Sequence, residues 1–331
     1  MAQVSIIIPC YNEEKTIHLL LESLLEQTYP VEEMEVIISD GNSQDKTREV
    51  IRLFQADHPQ LIIKMVENPR RNIPSALNTA IKNASGEFIV RLDAHSVPDK
   101  NYIQFCLKDL QSGKGDNVGG VWDIRPSNAS LMAKCISIGA QHRLGVGDAR
   151  YRYTTEAGEV DTVPFGSFYR SLFERVGAFD ETLLTNEDYE LNVRIRKSGG
   201  RIWLNPAIRA VYFSRPDLHA LAVQYWRYGL WKWRMLRLNP GTLRWRQALP
   251  PVFVLSLSIL FIGALFNPFF RILFATEILF YLISLILGTL PESFRNHDLR
   301  IGPGVCAAIM TMHIAWGAGF LWSMVKSIFV R

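Results

Sequence analysis

Cysteine is scarce in this 331-residue chain: Cys10, Cys106, Cys135 and Cys306 are scattered, with no C-x-x-C spacing. That argues against a dithiol or thiolate-metal pair and fits a reducing cytosol, each thiol acting as a small apolar residue. No G-x-G-x-x-G follows the first apolar run and no G-x-x-x-x-G-K-[ST] occurs, which excludes a dinucleotide fingerprint and a P-loop. Met1–Gln3 carries no basic residue and the run Val4–Ile8 is cut by Pro9, so no secretory signal is read and the soluble part is expected to stay where it is made. Internal repeats and low-complexity tracts are absent. The net charge of +4 is mild and excludes little. Long apolar runs are missing as far as Leu249. Beyond it come Leu249–Phe270, Ile272–Leu290 and Val305–Val325. Each is near the ~20 residues that cross a bilayer. Glu277 and His313 interrupt the second and third, and ionisable groups at that depth are expected to face protein.

The first part alternates strand and helix patterns. Val4–Pro9 is a β-branched strand. Asn12 is expected to cap a helix carrying Ile17, Leu20, Leu21, Leu24 and Leu25. Glu35–Ser39 is a second strand and Asp45–Phe54 a second helix. Leu61–Val66, Ser75–Asn83 and Glu87–Leu92 continue the series. A βαβαβαβ order predicts a mostly parallel sheet with helices on both faces, and ligands in such sheets bind at the carboxyl ends of the strands. Pro9–Glu13, Asp40–Ser43 and Asp93–His95 all fall at such ends. The pattern weakens from Gly113 to Gly166. Gly119–Asp123 and Val163–Arg170 are expected strands, and Arg143–Glu159 is expected to be a mobile loop over the crevice. Leu172–Val176 is a helical turn, and Asn186 caps a helix that runs to Arg196.

Strand alternation places Asp93 and His95 on one face, where a carboxylate and an imidazole can share a divalent cation. That donor pair suits Mn²⁺ and tolerates Mg²⁺ less well. A lone Asp-x-His is also an ordinary solvated turn. Likewise Glu13 reads as helix N-terminal charge, and Asp40 as a turn-forming residue before Gly41. Asp188 lies in the first turn of its helix, which favours an ionised carboxylate.

Four motifs together are similar to family 2 glycosyltransferases of the GT-A fold. They are Val4–Glu13, Ser39–Thr47, Arg91–His95 and Asn186–Glu190, and their order and spacing match over roughly the first 230 residues. The Asp-Ala-His variant followed by membrane helices resembles the succinoglycan-type exopolysaccharide glucosyltransferases. The resemblance implies an α/β GT-A domain over 1–217, an interfacial segment over 218–247 and a membrane domain of about three helices over 248–331. It implies a nucleotide-sugar donor, commonly a UDP-hexose such as UDP-glucose. Pro9, Tyr11 and Glu13 then line the nucleoside pocket, and Asp40 accepts a hydrogen bond from the uracil ring. Asp93 and His95 stand at the D-x-D positions, where His in place of the second acid shifts preference from Mg²⁺ toward Mn²⁺. Asp188 becomes the general base for the acceptor hydroxyl and Glu187 an orienting neighbour, in a single inverting displacement.

Leu218–Gln247 is dense in Trp, Tyr and Arg. Basic plus aromatic is also a nucleic-acid signature, but the position before the first apolar run argues for a membrane-interface helix and against a nucleic-acid partner. Gln224–Tyr228 resembles the Q-x-x-R-W segment of polysaccharide synthases, with Tyr as its last residue. By that resemblance Arg227 holds the diphosphate and Tyr228 stacks on a sugar. Arg244 and Arg246 precede the first apolar run, and Arg295 and Arg300 lie between the second and third. This favours a cytoplasmic catalytic domain, with only Arg271 expected in the first short connection, Lys326 and Arg331 running against the rule, and Asn267-Pro268 open to a re-entrant hairpin. A lipid-linked saccharide acceptor and other glycan-assembly enzymes are the expected partners. The alternative at this level is a nucleotide-sugar-binding membrane protein without catalysis.

Overall fold

The computed structural model describes residues 2–329, so Met1 and Arg331 lie outside the described residues. The chain forms two compact units, residues 2–123 with 150–212 and residues 124–149 with 213–329.

The first unit is built on a nine-stranded sheet. Its parallel half comes from β1 (Val4–Cys10), β2 (Met34–Asp40), β3 (Ile62–Glu67) and β4 (Phe88–Arg91), in the order β3-β2-β1-β4. The register sets Cys10 opposite Asp40 and Ile7 opposite Arg91, which brings these strand ends to one side of the sheet. Continuous β-branched sequence suits strands covered on both faces, and β1 and β2 are buried almost throughout. Helices α1 (Ile17–Leu25), α2 (Thr47–Asp57) and α3 (Ile73–Asn83) form the crossovers. Asn72 caps α3 by accepting from the Ser75 amide. Beyond β4 the pairing turns antiparallel. The remaining strands are β5 (Val97–Pro98), β6 (Asn117–Arg125), β7 (Gly158–Glu159), β8 (Ser167–Tyr169) and β9 (Ile202–Phe213). β8 pairs antiparallel with both β4 and β6, and β9 with both β5 and β7. The sheet is therefore mixed: alternating β and α segments announce only its parallel half. At Gly120 on β6 a Cβ would lie 1.7 Å from the Ile208 carbonyl oxygen of β9, so only glycine lets these strands approach. Helices α4 (Tyr102–Gln111), α7 (Leu172–Val176) and α8 (Glu187–Lys197) complete this unit.

The second unit holds α5 (Leu131–Gly139), α6 (Arg143–Val146), α9 (Leu218–Leu238), α10 (Trp245–Phe266), α11 (Pro268–Arg295) and α12 (Ile301–Phe329). The last three are long and apolar enough to cross a membrane. Asn267 alone joins α10 to α11 and caps the latter through the Phe269 amide. Arg271 thus lies inside α11, its Nε donating to the Ala264 carbonyl, and is not part of a connection. α9 packs on α12 at backbone distance: a Cβ on Gly229 would come 2.1 Å from the Trp316 carbonyl oxygen. The stretch expected to be a mobile loop from Arg143 begins with helix α6, because Leu144 and Gly145 meet Gly288 and Met312 on the apolar helices of this unit and Val146 is buried.

Candidate active site

Two loops at the carboxyl ends of β1 and β2 are zipped together. Asn12 adopts a left-handed backbone (φ 55), which Asn tolerates better than most residues. Its amide donates to Ser43 Oγ at 2.9 Å and its Oδ1 accepts from the Gln44 amide at 2.8 Å. The Glu13 amide donates to Thr47 Oγ1 at 2.7 Å. Asn12 is therefore a cross-link between loops and not the expected helix cap, since α1 begins only at Ile17. Tyr11 is exposed and stands over Gly41, where a Cβ would lie 3.2 Å from its ring. Pro9 lies inside β1 opposite Ser39. Asp40 is buried and accepts from Ser43 Oγ at 2.5 Å and from Arg48 Nε at 2.5 Å. Ser43 and Arg48, which position this carboxylate, carry no sequence signal beyond their distance from it.

At the end of β4 the strand stops at Arg91, and Asp93–Ser96 forms a turn closed by the Ser96 amide on the Asp93 carbonyl at 2.9 Å. Alternation thus pairs Asp93 with Arg91 rather than with His95, because the strand ends before His95 is reached. Arg91 Nη2 lies 3.1 Å from Asp93 Oδ1 and 3.4 Å from Glu187 Oε1, and Nη1 contacts Asp188 Oδ1. The guanidinium is buried, 4 % exposed, and binds three carboxylates from two motifs. His95, in the turn, places Nδ1 3.1 Å from Glu13 Oε1, so the imidazole meets the loop after β1. Asp188 and Glu187 open α8 after Asn186, whose backbone is left-handed (φ 70). Burial raises the Asp188 carboxyl, with Glu187 and Asp93 adding to it against the lowering pull of Arg91, to about 8. The helix terminus alone does not keep it ionised. Arg91 is the residue that motif reading passed over. Its signal was a charge at a core-facing position of a four-residue apolar strand, which is stable only when paired.

Arg227 and Tyr228 lie on α9 in the second unit, where Gln224 Nε2 donates to Tyr228 Oη at 3.1 Å and the Tyr228 ring stands 6.3 Å from Trp316. An open cavity of about 500 Å³ lined by Gln3, Ser85, Glu87, Tyr169, Arg170 and Glu174 holds none of the expected site residues.

Among the described residues no three His, Cys, Asp or Glu side chains gather into a metal cage. Asp93 and His95 offer one hard oxygen and one imidazole, both partly exposed. That donor set fits a cation completed by substrate phosphates and water, the usual arrangement where a divalent ion arrives with a nucleotide.

Residues 5–177 match the sequence profile of "Glycosyl transferase family 2". The chain is 32% identical over 268 residues to a dolichyl N-acetyl-alpha-D-glucosaminyl phosphate 3-beta-D-2,3-diacetamido-2,3-dideoxy-beta-D-glucuronosyltransferase of Methanococcus voltae, covering 79% of this chain and 82% of that protein. It is 30% identical over 326 residues to the succinoglycan biosynthesis protein ExoA of Rhizobium meliloti, covering 95% and 93%. The fold is shared with the mannosyltransferase PcManGT from Pyrobaculum calidifontis, solved in complex with GDP-Man and Mn²⁺. The TM-score is 0.65 at 22% identity, over 94% of this chain and 86% of the other. The mixed sheet with its converging loops is thus a GT-A fold, and the chain belongs to glycosyltransferase family 2.

Proposed function

We propose that this glycosyltransferase moves a hexose from a nucleotide-sugar, with UDP-glucose as the first donor to test, to a lipid-linked saccharide at the cytoplasmic membrane face, in exopolysaccharide or cell-surface glycan synthesis. One observation carries the reading: the buried Arg91 binds Asp188, the base candidate, and Asp93, the donor-motif acid, on the same guanidinium. The acceptor chemistry is supported by relatives, one named for a dolichyl phosphate-linked sugar and one for succinoglycan biosynthesis. Pro9, Tyr11 and Glu13 flank the nucleoside, and Asp40, held by Ser43 and Arg48, accepts from the base.

Asp188 takes the proton of the acceptor hydroxyl. The acceptor oxygen bonds to the anomeric carbon as the bond from that carbon to the phosphate oxygen breaks, and the nucleoside diphosphate leaves from the opposite face, so configuration inverts. Glu187 and Arg91 hold Asp188 in place. A divalent cation held by Asp93 and His95 would neutralise the leaving diphosphate. The imidazole makes Mn²⁺ the preferred ion over Mg²⁺. Arg227 and Tyr228 are assigned to the diphosphate and a sugar ring.

Membranes bearing the protein, incubated with radiolabelled nucleotide sugars and Mn²⁺ or Mg²⁺, should pass label into the lipid fraction. Asp188→Asn should abolish that transfer and leave nucleotide binding intact. Near-normal turnover by Asp188→Asn would remove the base assignment, and label in no lipid fraction with any donor would favour a binding protein without catalysis.

A further inference from the structure

Residues 124–149 interrupt the sequence of the first unit yet belong to the same compact unit as α10–α12. α5 and α6 follow α12 in step. Cys135 Sγ lies 3.8 Å from the Ile301 carbonyl, Gly139 faces Ala308 and Gly145 faces Met312. Two histidines pin α6. His142 Nε2 lies 3.1 Å from the Gly288 carbonyl of α11, and His313 Nε2 of α12 lies 2.9 Å from the Leu144 carbonyl. A carbonyl only accepts, so both rings carry their proton on Nε2 and use Nδ1 as acceptor. The Nδ1 partners agree: the Leu144 amide at 3.2 Å for His142, and the Tyr281 hydroxyl at 3.0 Å for His313.

These contacts fix a depth. Gly288 lies two positions inside Leu290, where the second apolar run ends, and His313 eight positions beyond Val305, where the third begins. At ~1.5 Å per residue, Leu144 sits roughly 3–12 Å below the level at which these runs start. Its side chain packs against Gly288 and is still 42% exposed, and Leu287 and Leu290 on the same helix are exposed as well. The polar ends of the segment match an interface: Lys134 is exposed, and Asp148 is held by Arg244 at 3.3 Å and by Arg246 at the start of α10. An exposed leucine continuous with the outer surface of apolar helices, beside the exposed Arg143 whose long side chain can reach to the interface and flanked by Lys134 and Asp148, is what an interfacial membrane segment presents.

We propose that α5–α6 is a membrane-seated element, with Leu144 covered by lipid acyl chains. This rests on reading α10–α12 as membrane spans. The full chain in nanodiscs of phosphatidylcholine and phosphatidylglycerol tests it. In a Cys306→Ala background, where the other cysteines are buried, nitroxide labels go on Leu144→Cys, on Ile259→Cys of α10 and on Arg52→Cys of α2. Collisions with oxygen should exceed those with a water-soluble nickel chelate at 144 and 259, and the order should reverse at 52. A water-like label at 144 beside a lipid-like label at 259 overturns the proposal and leaves the spans standing. A water-like label at 259 removes the spans, and the proposal with them. The unmodified chain provides the second arm, with lipids carrying a diazirine on the acyl chain. Adducts are expected on the peptide holding Leu144, and their absence alongside adducts on α10 and α11 refutes the placement.

Discussion

Arg91→Met isolates what one buried guanidinium does. The side chain it replaces is almost fully buried and faces Asp93 at 3.1 Å, Glu187 at 3.4 Å and Asp188 in direct contact. Breaking a buried ion pair from one side costs about 3–5 kcal/mol, because the remaining charges stay desolvated and unpaired. That is a large share of the ~5–15 kcal/mol that holds a domain together. At roughly 2–4 °C per kcal/mol for a unit of this size, the melting midpoint should fall by about 10 °C at pH 8. The cost is electrostatic, so it must shrink where the carboxylates take up protons. Burial already raises the Asp188 carboxyl, so at pH 5 it takes up a proton more readily and the gap to wild type should narrow. Arg91→Lys keeps the charge but has no planar fork to reach Asp93 and Asp188 together, so it should fall between the two. Misplacing Asp188 by even ~1 Å should cost transfer about a hundredfold. The assay is thermal unfolding of the detergent-solubilised chain at pH 5, 6.5 and 8, with label transfer measured in parallel. An equal loss at all three pH values would mean that Arg91 acts by packing alone. No loss at any of them would refute the pairing.

The other expectations are narrower. In chelator, Asp188→Asn should be more stable than wild type at pH 7, because burial disfavours the charged Asp188 carboxylate in the folded chain and Asn carries no charge to desolvate. The stability Asp188 contributes is full below its unfolded pKa near 4 and is lost as pH rises toward about 8, so the variant's advantage should open above pH 4 and level off beyond about 8; a variant less stable than wild type at pH 7 would count against the shift. Glu35 behaves oppositely. Burial pushes its carboxyl up, but Lys64, Ser5 and Ser85 hold it down at about 2, so Glu35→Gln should cost about 2–3 kcal/mol at pH 7 and progressively less as pH falls from 4 to 2, read by denaturant unfolding. Gly229→Val should separate α9 from α12, because the added Cβ meets the Trp316 carbonyl oxygen at 2.1 Å; proteolysis within Leu218–Leu238 should rise severalfold, and an unchanged digestion pattern would contradict the close packing.

The parallel half of the sheet was legible because β1, β2 and β4 are apolar runs buried on both faces, a pattern only a covered parallel sheet explains. β9 was not read. Its twelve residues carry Asn205-Pro206 in the middle, which looks like a break although the strand continues through it. α4 did carry a signal in Ile103, Cys106, Leu107 and Leu110 at helical spacing, all of them buried. α5 and α6 were hidden for another reason. Seen alone, the Gly and Arg residues after Gly139 look like loop, and what makes α6 a helix is apolar surface supplied by α11 and α12 more than a hundred residues later.

In the site, Asp93 meets Glu187 and Asp188 through Arg91, and His95 meets Glu13, for a reason that alternation did not supply. Alternation holds as far as Arg91 and Asp93 and then stops, since the turn at Asp93–Ser96 ends the strand. His95 is therefore placed by the turn and by Glu13, and Asp93 by Arg91. Asp93 and His95 are anchored to different supports. Asp93 shares its support with Asp188, ninety-five positions later in the chain, and His95 shares its own with the loop that cross-links to Asp40 through Asn12 and Ser43. A charge brought to His95 would thus reach the loops after β1 and β2, and one brought to Asp93 would reach Asp188 through Arg91. Arg91 is the element that makes the second coupling possible, because a guanidinium can bind two carboxylates along separate N–H directions while remaining charged throughout.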